Sequence, residues 1–193
     1  MLALDIGAGV GKGMIALDNA GFNAYGFEPS IPFYERAISQ MSIDPDRLKF
    51  STIEEVEYPE NFFAFVSFGA VLEHIYDPSA ALIKALKWTK PGGVIQIEVP
   101  SSQWLIPQIA HFYYKVIGTD YVANLCPMHQ PFHLHEFSFK SFKEHAHKNG
   151  YEIVHHEYFV CQTYMPKIFD YILIPYMKWT NKGMQLSIWL RKK

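Results

Sequence analysis

Asp5, Gly7, Gly9 and Gly11 stand in the order D-x-G-x-G-x-G, directly after an apolar run and directly before a helix-like segment. Glycines at alternate positions let a backbone turn sharply or come close to a ligand, with no Cβ in the way. Two phosphate-binding loops are excluded by spacing. The Walker loop needs four residues between its first glycine and Gly-Lys, then Ser or Thr; here Gly7 and Gly11 enclose three, and Lys12 precedes Gly13. The dinucleotide fingerprint G-x-G-x-x-G finds Lys12 or Met14 where its third glycine belongs. Glu28 ends the second strand-like run, about twenty residues on, where a carboxylate accepts two ribose hydroxyls. Two further groups carry titratable chemistry. Glu73 and His74 follow a long apolar run, and His129, His133, His135 and Glu136 lie close together further on. The spacing H-x3-H-x-H matches no standard zinc pattern and the paired cysteines are missing, so no metal is expected.

These residues must be positioned by the elements between them. Leu2–Gly7 reads as a buried strand, Lys12–Ala20 as a helix stopped by Gly21, and Asn23–Pro29 as a second strand. Phe33–Met41 is helical, Leu48–Phe50 a short strand, and Phe62–Gly69 a continuous apolar run suited to a fully buried strand. Asp77-Pro78 is a helix start, with an acid at the cap and proline at the first helical position. That helix ends at Lys90-Pro91-Gly92-Gly93, and Val94–Pro100 is the fifth strand. Strand and helix alternate, which predicts a parallel sheet wound by helices. Beyond residue 100 a helix near Ile106–Val116, another from Ser138 to His147, and strands at Tyr151–Phe159 and Met184–Lys192 are expected. Two aromatic-rich inserts, at about 101–132 and 160–182, interrupt the pattern.

Bulk composition narrows the functional classes. The 193 residues suit one domain over 1–193, and 49% apolar with 19% charged content supports a real core. A formal charge of −2 argues against a broad nucleic-acid footprint. Two cysteines, Cys126 and Cys161, fit a reduced compartment. The longest apolar candidate, Phe169–Met177, is broken by Pro175, so no transmembrane segment is expected, and with no visible leader the expected location is the cytoplasm.

The ordered set of segments resembles the class I S-adenosylmethionine-dependent methyltransferases. Beyond the glycine loop, FGAVLEHIYDP (Phe68–Pro78), KPGGVIQIEVP (Lys90–Pro100) and PFHLHEFSFKSF (Pro131–Phe142) are similar to segments of the subgroup that includes the ubiquinone-biosynthesis O-methyltransferases. The resemblance implies a Rossmann-like α/β fold: a seven-strand, mostly parallel sheet with helices on both faces and a final antiparallel strand. It implies S-adenosylmethionine as cofactor, bound by Asp5, Gly7, Gly9, Gly11 and Glu28. By position in the family, Thr52 and Ile53 would meet the adenine, and Gly69 with the Phe68 carbonyl would face the methionine end. Members of the family normally carry helices before the first strand, whereas this sequence opens on it.

Methyl transfer needs an aligned nucleophile and, for an alcohol or amine, a group to take its proton. His74 follows the fourth strand, near where the methyl group would point, and is the first candidate base. His133, within the family-like segment, is the second, as base or substrate contact. The first insert, with Trp104, Phe112, Tyr113, Tyr114 and Tyr121, would form a lid over the substrate. The second, with Tyr164, Phe169, Tyr171, Tyr176 and Trp179, would pack on the first, form a homodimer face, or touch a lipid-linked substrate. The expected activity is methylation of a small-molecule acceptor at oxygen: a sugar, a phenol or a lipid-linked intermediate. The rival from another class is a non-catalytic cofactor-binding module that works through a partner protein. A nicotinamide-dependent oxidoreductase is a further rival, against which the glycine spacing counts.

Overall fold

Runs of apolar residues bounded by turn formers become the strands of one sheet. The computed structural model describes residues 1–123, 125, 126, 128, 132–163 and 165–193. The elements run β1 (Leu2–Ile6), α1 (Lys12–Asn19), β2 (Asn23–Glu28), α2 (Ile31–Met41), β3 (Leu48–Phe50), β4 (Phe63–Gly69) and α3 (Pro78–Trp88). They continue with β5 (Thr89–Pro100), α4 (Leu105–Val116), α5 (Phe139–Asn149), β6 (Tyr151–Phe159), α6 (Lys167–Thr180) and β7 (Gln185–Lys192). The strand order is β3-β2-β1-β4-β5-β7-β6, and β7 runs antiparallel to both neighbours. Chain order moves outward from β1 to β3, then restarts beside β1 with β4. That reversal opens a crevice at the carboxyl ends of β1 and β4, where open α/β sheets bind their ligands.

The two faces of the sheet bury different sets, because side chains alternate along a strand. Leu4, Ile6, Phe27, Phe63 and Phe68 pack on one face against Ala81, Leu82, Ala85 and Trp88 of α3 and Phe142 of α5. Met14 of α1 and Ala37 of α2 pack with Ala8, Ala24 and Leu48 on the other. The expected helix starts are realised in detail. Asp77 accepts the Ala80 N–H at 2.9 Å, and Ser138 forms a reciprocal cap with Ser141.

Two expectations need correction. The segment Lys90–Gly93 does not separate α3 from a strand that starts at Val94. Thr89 already pairs with Phe63, the chain bulges through Gly92 at φ +75°, and pairing resumes between Phe65 and Val94. Pro175 does not break its apolar run: α6 continues through it for 14 residues. An interior proline loses one backbone hydrogen bond and strains the helix by about 3 kcal/mol. Here the buried Met177 anchors the helix beyond the proline, and Asn181 in a left-handed conformation closes it. Among the described residues no helix is long and apolar enough to cross a membrane, and Cys126 and Cys161 are unpaired thiols.

Candidate functional site

The glycine loop lies at the mouth of the crevice. Gly7, Gly9 and Gly11 have φ of +66°, +54° and +84°, the left-handed region that side chains resist. At Gly7 there is no room either: a Cβ would lie 2.6 Å from a methyl of Val71, on the turn after β4. Glu28, at the end of β2, ties the loop down. Its Oε2 accepts the Gly9 N–H at 2.8 Å and its Oε1 accepts the Ser30 N–H at 2.8 Å. An ionised carboxylate has about four acceptor positions, so each oxygen retains one for a ligand hydroxyl. The N-terminus of α1 has no side-chain cap and no acid in its first turn, and the first N–H groups of a helix have no partner within it.

Asp5 supports the loop from below. In the parallel register Asp5 lies opposite Ser67, and paired side chains share a face, so the Ser67 hydroxyl donates to Asp5 Oδ1 at 2.7 Å. Burial pushes the Asp5 carboxyl up to about 6; the Ser67 bond opposes this and the Glu28 charge adds to it. A raised folded-state value means that the folded chain binds this proton more tightly than the unfolded chain does. Stability from this group is therefore complete below the ordinary carboxylate range and is lost as pH rises through about 6. The loss amounts to roughly 3 kcal/mol, from about 1.4 kcal/mol per unit. Asp5→Asn is expected to remove that slope. Urea unfolding of both proteins at about pH 4.5 and about pH 7.5 reads the term directly; equal slopes would refute it.

Two cavities that share His74 open here, the first of them against the loop. The first, of about 210 Å³, is lined by Gly7, Phe27, Thr52, Ile53, Val71 and His74 among others. Thr52 and Ile53, singled out from the sequence, thus face the same space as the loop. The second, of about 260 Å³, is lined by Glu73, His74, Trp104, His133, Met184 and Gln185 with Ala70 and Pro100. His74 belongs to both walls. Gly69, at the exposed end of β4, has open space where a side chain would be, while the Phe68 ring is buried in the core.

A short helical turn, Leu72–His74, carries Glu73 and His74, the first buried and the second exposed. Glu73 turns inward; its side chain is 2% exposed and its Oε2 has no hydrogen-bond partner. Burial raises its carboxyl above the usual range, against the pull of its own backbone and of His74. His74 Nδ1 lies 3.4 Å from the Phe132 carbonyl, which only accepts, so Nδ1 is the donor in this contact and Nε2 is the ring nitrogen left over. That Nε2 stands 4.0 Å from Glu73 Oε1. The His133 ring is 5.0 Å from that of His74, centre to centre, so the structure brings the two histidines of the sequence reading together. His135 does not join them: its Nε2 lies 3.3 Å from the Tyr76 carbonyl. His129 and Pro131 of that cluster, and Tyr164 of the second insert, lie outside the described residues.

Of the aromatic residues in the first insert, Trp104 reaches the second cavity. Phe112 and Tyr113 are exposed on α4, and the ring of Tyr114 meets those of Tyr113 and Tyr121 at steep angles. The sequence reading missed Met184 and Gln185. They arrive there because β7 runs antiparallel to β5, so its start lies beside Pro100, at the open end of the crevice. Nothing in their local sequence signals it.

The methyltransferase domain family matches residues 2–156 of this chain. A ubiquinone biosynthesis O-methyltransferase of Rhodopseudomonas palustris (strain BisB18) is 28% identical over 129 residues, which are 64% of this chain and 47% of that protein. The chain thus spans about half the length of the curated relatives it matches. Among solved structures, a SAM-dependent methyltransferase from Methanosarcina mazei superposes with a TM-score of 0.70 at 17% identity, covering 99% of this chain and 92% of that one. An S-adenosylmethionine dependent methyltransferase from Mesorhizobium loti gives 0.65 at 13% identity, covering 98% and 90%.

Proposed function

The chain belongs to the methyltransferase domain family, and on that premise we propose that it uses S-adenosylmethionine to methylate an oxygen of a small-molecule acceptor held in the second cavity. The cofactor suits the first cavity and its rim. It carries a nucleoside, a carboxylate and an amine but no phosphate, so it needs close backbone and an acid for the ribose more than positive charge. Gly7, Gly9 and Gly11 supply the first, Glu28 the second, and the uncapped N-terminus of α1 suits a carboxylate. Thr52 and Ile53 would meet the adenine, and Gly69 with the Phe68 carbonyl the methionine end.

When bound, the cofactor supplies a methyl group on a positively charged sulfur that leaves as a neutral thioether. What remains for the protein is to orient the acceptor and to handle its proton. The observation that carries the reading is that His74 forms part of both cavity walls, with Nδ1 against the Phe132 carbonyl so that Nε2 would be the nitrogen to act. Nε2 would take the hydroxyl proton while the oxygen bonds to the methyl carbon, and His133 beside it would hold the acceptor. Trp104 would close the outer wall and exclude water. The distant likeness to an O-methyltransferase supports oxygen as the acceptor atom.

Calorimetric titration with S-adenosylmethionine, followed by a radiolabelled-methyl screen over phenols, sugars and lipid-linked alcohols, tests this. His74→Ala is expected to lower turnover by about two to four orders of magnitude, the usual worth of a positioned base, with cofactor affinity within about threefold. Trp104→Ala should lower turnover as well and leave cofactor affinity nearly unchanged. Equal loss of cofactor binding in either variant would sink the assignment. A second reading, a cofactor-binding subunit that acts through a partner protein, draws on the exposed Phe112, Tyr171, Ile172 and Trp179. Turnover by the purified chain alone decides against it.

A further inference from the structure

A buried carboxylate with an idle oxygen needs a partner, because an unpaired polar atom away from water is costly. Glu73 is 1% exposed, lines the second cavity, and leaves Oε2 without a hydrogen bond. One ligand atom each from Glu73, His74 and His133 lie within 4.8 Å of one another. The other oxygen of that carboxylate, Oε1, stands 4.0 Å from His74 Nε2, a separation too long for a hydrogen bond. It suits two ligands that share one ion, since zinc–nitrogen and zinc–oxygen bonds are each about 2.0–2.2 Å. His74 is also oriented as ligating histidines are, with Nδ1 against a backbone carbonyl and Nε2 toward the cluster.

We propose that Glu73, His74 and His133 bind one divalent zinc-type cation on the wall of the second cavity. Two imidazoles and one carboxylate are a donor set for zinc that leaves a coordination position open. That position faces the space lined by Trp104, Met184 and Gln185. An ion there favours acceptors that present an oxygen donor, above all two adjacent oxygens, and this part rests on the oxygen-acceptor reading given above. With the ion bound, Nε2 of His74 is a ligand, and the acceptor hydroxyl, made more acidic by the ion, gives its proton to solvent; His74 serves as the base only in the ion-free chain.

The test is metal binding itself. The chelator-treated chain is titrated with Zn²⁺ against a chromophoric competitor, and with Co²⁺ while the visible spectrum is followed. One Zn²⁺ per chain at micromolar affinity or tighter is expected, with visible Co²⁺ bands. Glu73→Gln and His133→Ala should each weaken Zn²⁺ about a hundredfold or more, since even the loss of a partner behind a ligand weakens metal about 10–100-fold. His135→Ala, outside the cluster, should change nothing. Zn²⁺ affinity unchanged in Glu73→Gln and His133→Ala overturns the site. So does a wild-type chain with no Co²⁺ bands, a measurement that does not depend on whether a variant folds. S-adenosylmethionine titration of the same samples separates the two ideas. Intact cofactor binding and methyl transfer without metal would end this inference and leave the methyltransferase reading standing. A bound metal without oxygen methylation would do the reverse.

Discussion

Glu28→Ala is expected to weaken S-adenosylmethionine binding by about a hundredfold or more and to destabilise the free protein as well. The affinity term is that of the two charge-assisted hydrogen bonds that Glu28 would accept from ribose hydroxyls under the proposed function, each about 1.5–3 kcal/mol, where 1.4 kcal/mol is tenfold. The stability term follows from bonds already present. Glu28 accepts the N–H groups of Gly9 and Ser30, both at 2.8 Å, and alanine leaves both without an acceptor. An unsatisfied donor costs about 1–3 kcal/mol, less where water reaches it. Glu28→Gln should not rescue the site, because its amide nitrogen would meet a backbone N–H, donor against donor. Calorimetry and urea midpoints measure the two effects separately. Cofactor affinity within threefold of wild type would exclude Glu28 from the binding site.

Gly7→Ala is expected to abolish cofactor binding through a single added methyl. The left-handed backbone at φ +66° costs a side-chain-bearing residue about 1–2 kcal/mol. The new Cβ also meets Val71 at 2.6 Å, and Val71 lines the same cavity as Thr52 and Ile53. Either Val71 moves into that cavity or the loop lifts away from β4, so cofactor binding should fall below detection. Gly21→Ala is the control. Its φ of +87° imposes a similar backbone penalty, but nothing lies within 4 Å of the added carbon. It should lose stability and keep the cofactor. Similar cofactor affinities in the two variants would mean that the crowding at Val71 is irrelevant to the site.

The parts of the site that were legible in the sequence are those set by local rules. The glycines of the loop are required by backbone angles within a single turn, and Glu28 ends a strand whose apolar pattern is unmistakable. Asp77 and Ser138 start helices because their side chains meet N–H groups three residues on. Local rules also account for the two errors. Lys90–Gly93 has turn composition, yet pairing of Thr89 with Phe63 draws it into a strand. Pro175 is a helix breaker by propensity, yet the burial of Met177 outweighs one lost hydrogen bond.

The sequence by itself determined the alternation of strand and helix, the sharp turn after β1 and the acid at the end of β2, because turn geometry, capping and apolar period act over a few residues. Only the tertiary structure decided the second cavity. It set His133 beside His74, whose partner carbonyl, Phe132, is 58 residues away, and it brought Met184 and Gln185 from the start of β7. It also decided that Glu73 faces inward with an idle oxygen while its neighbour faces the rim. Such contacts depend on which strand lies next to which and in what direction, and that is set by the summed burial of the whole sheet rather than by any segment of it.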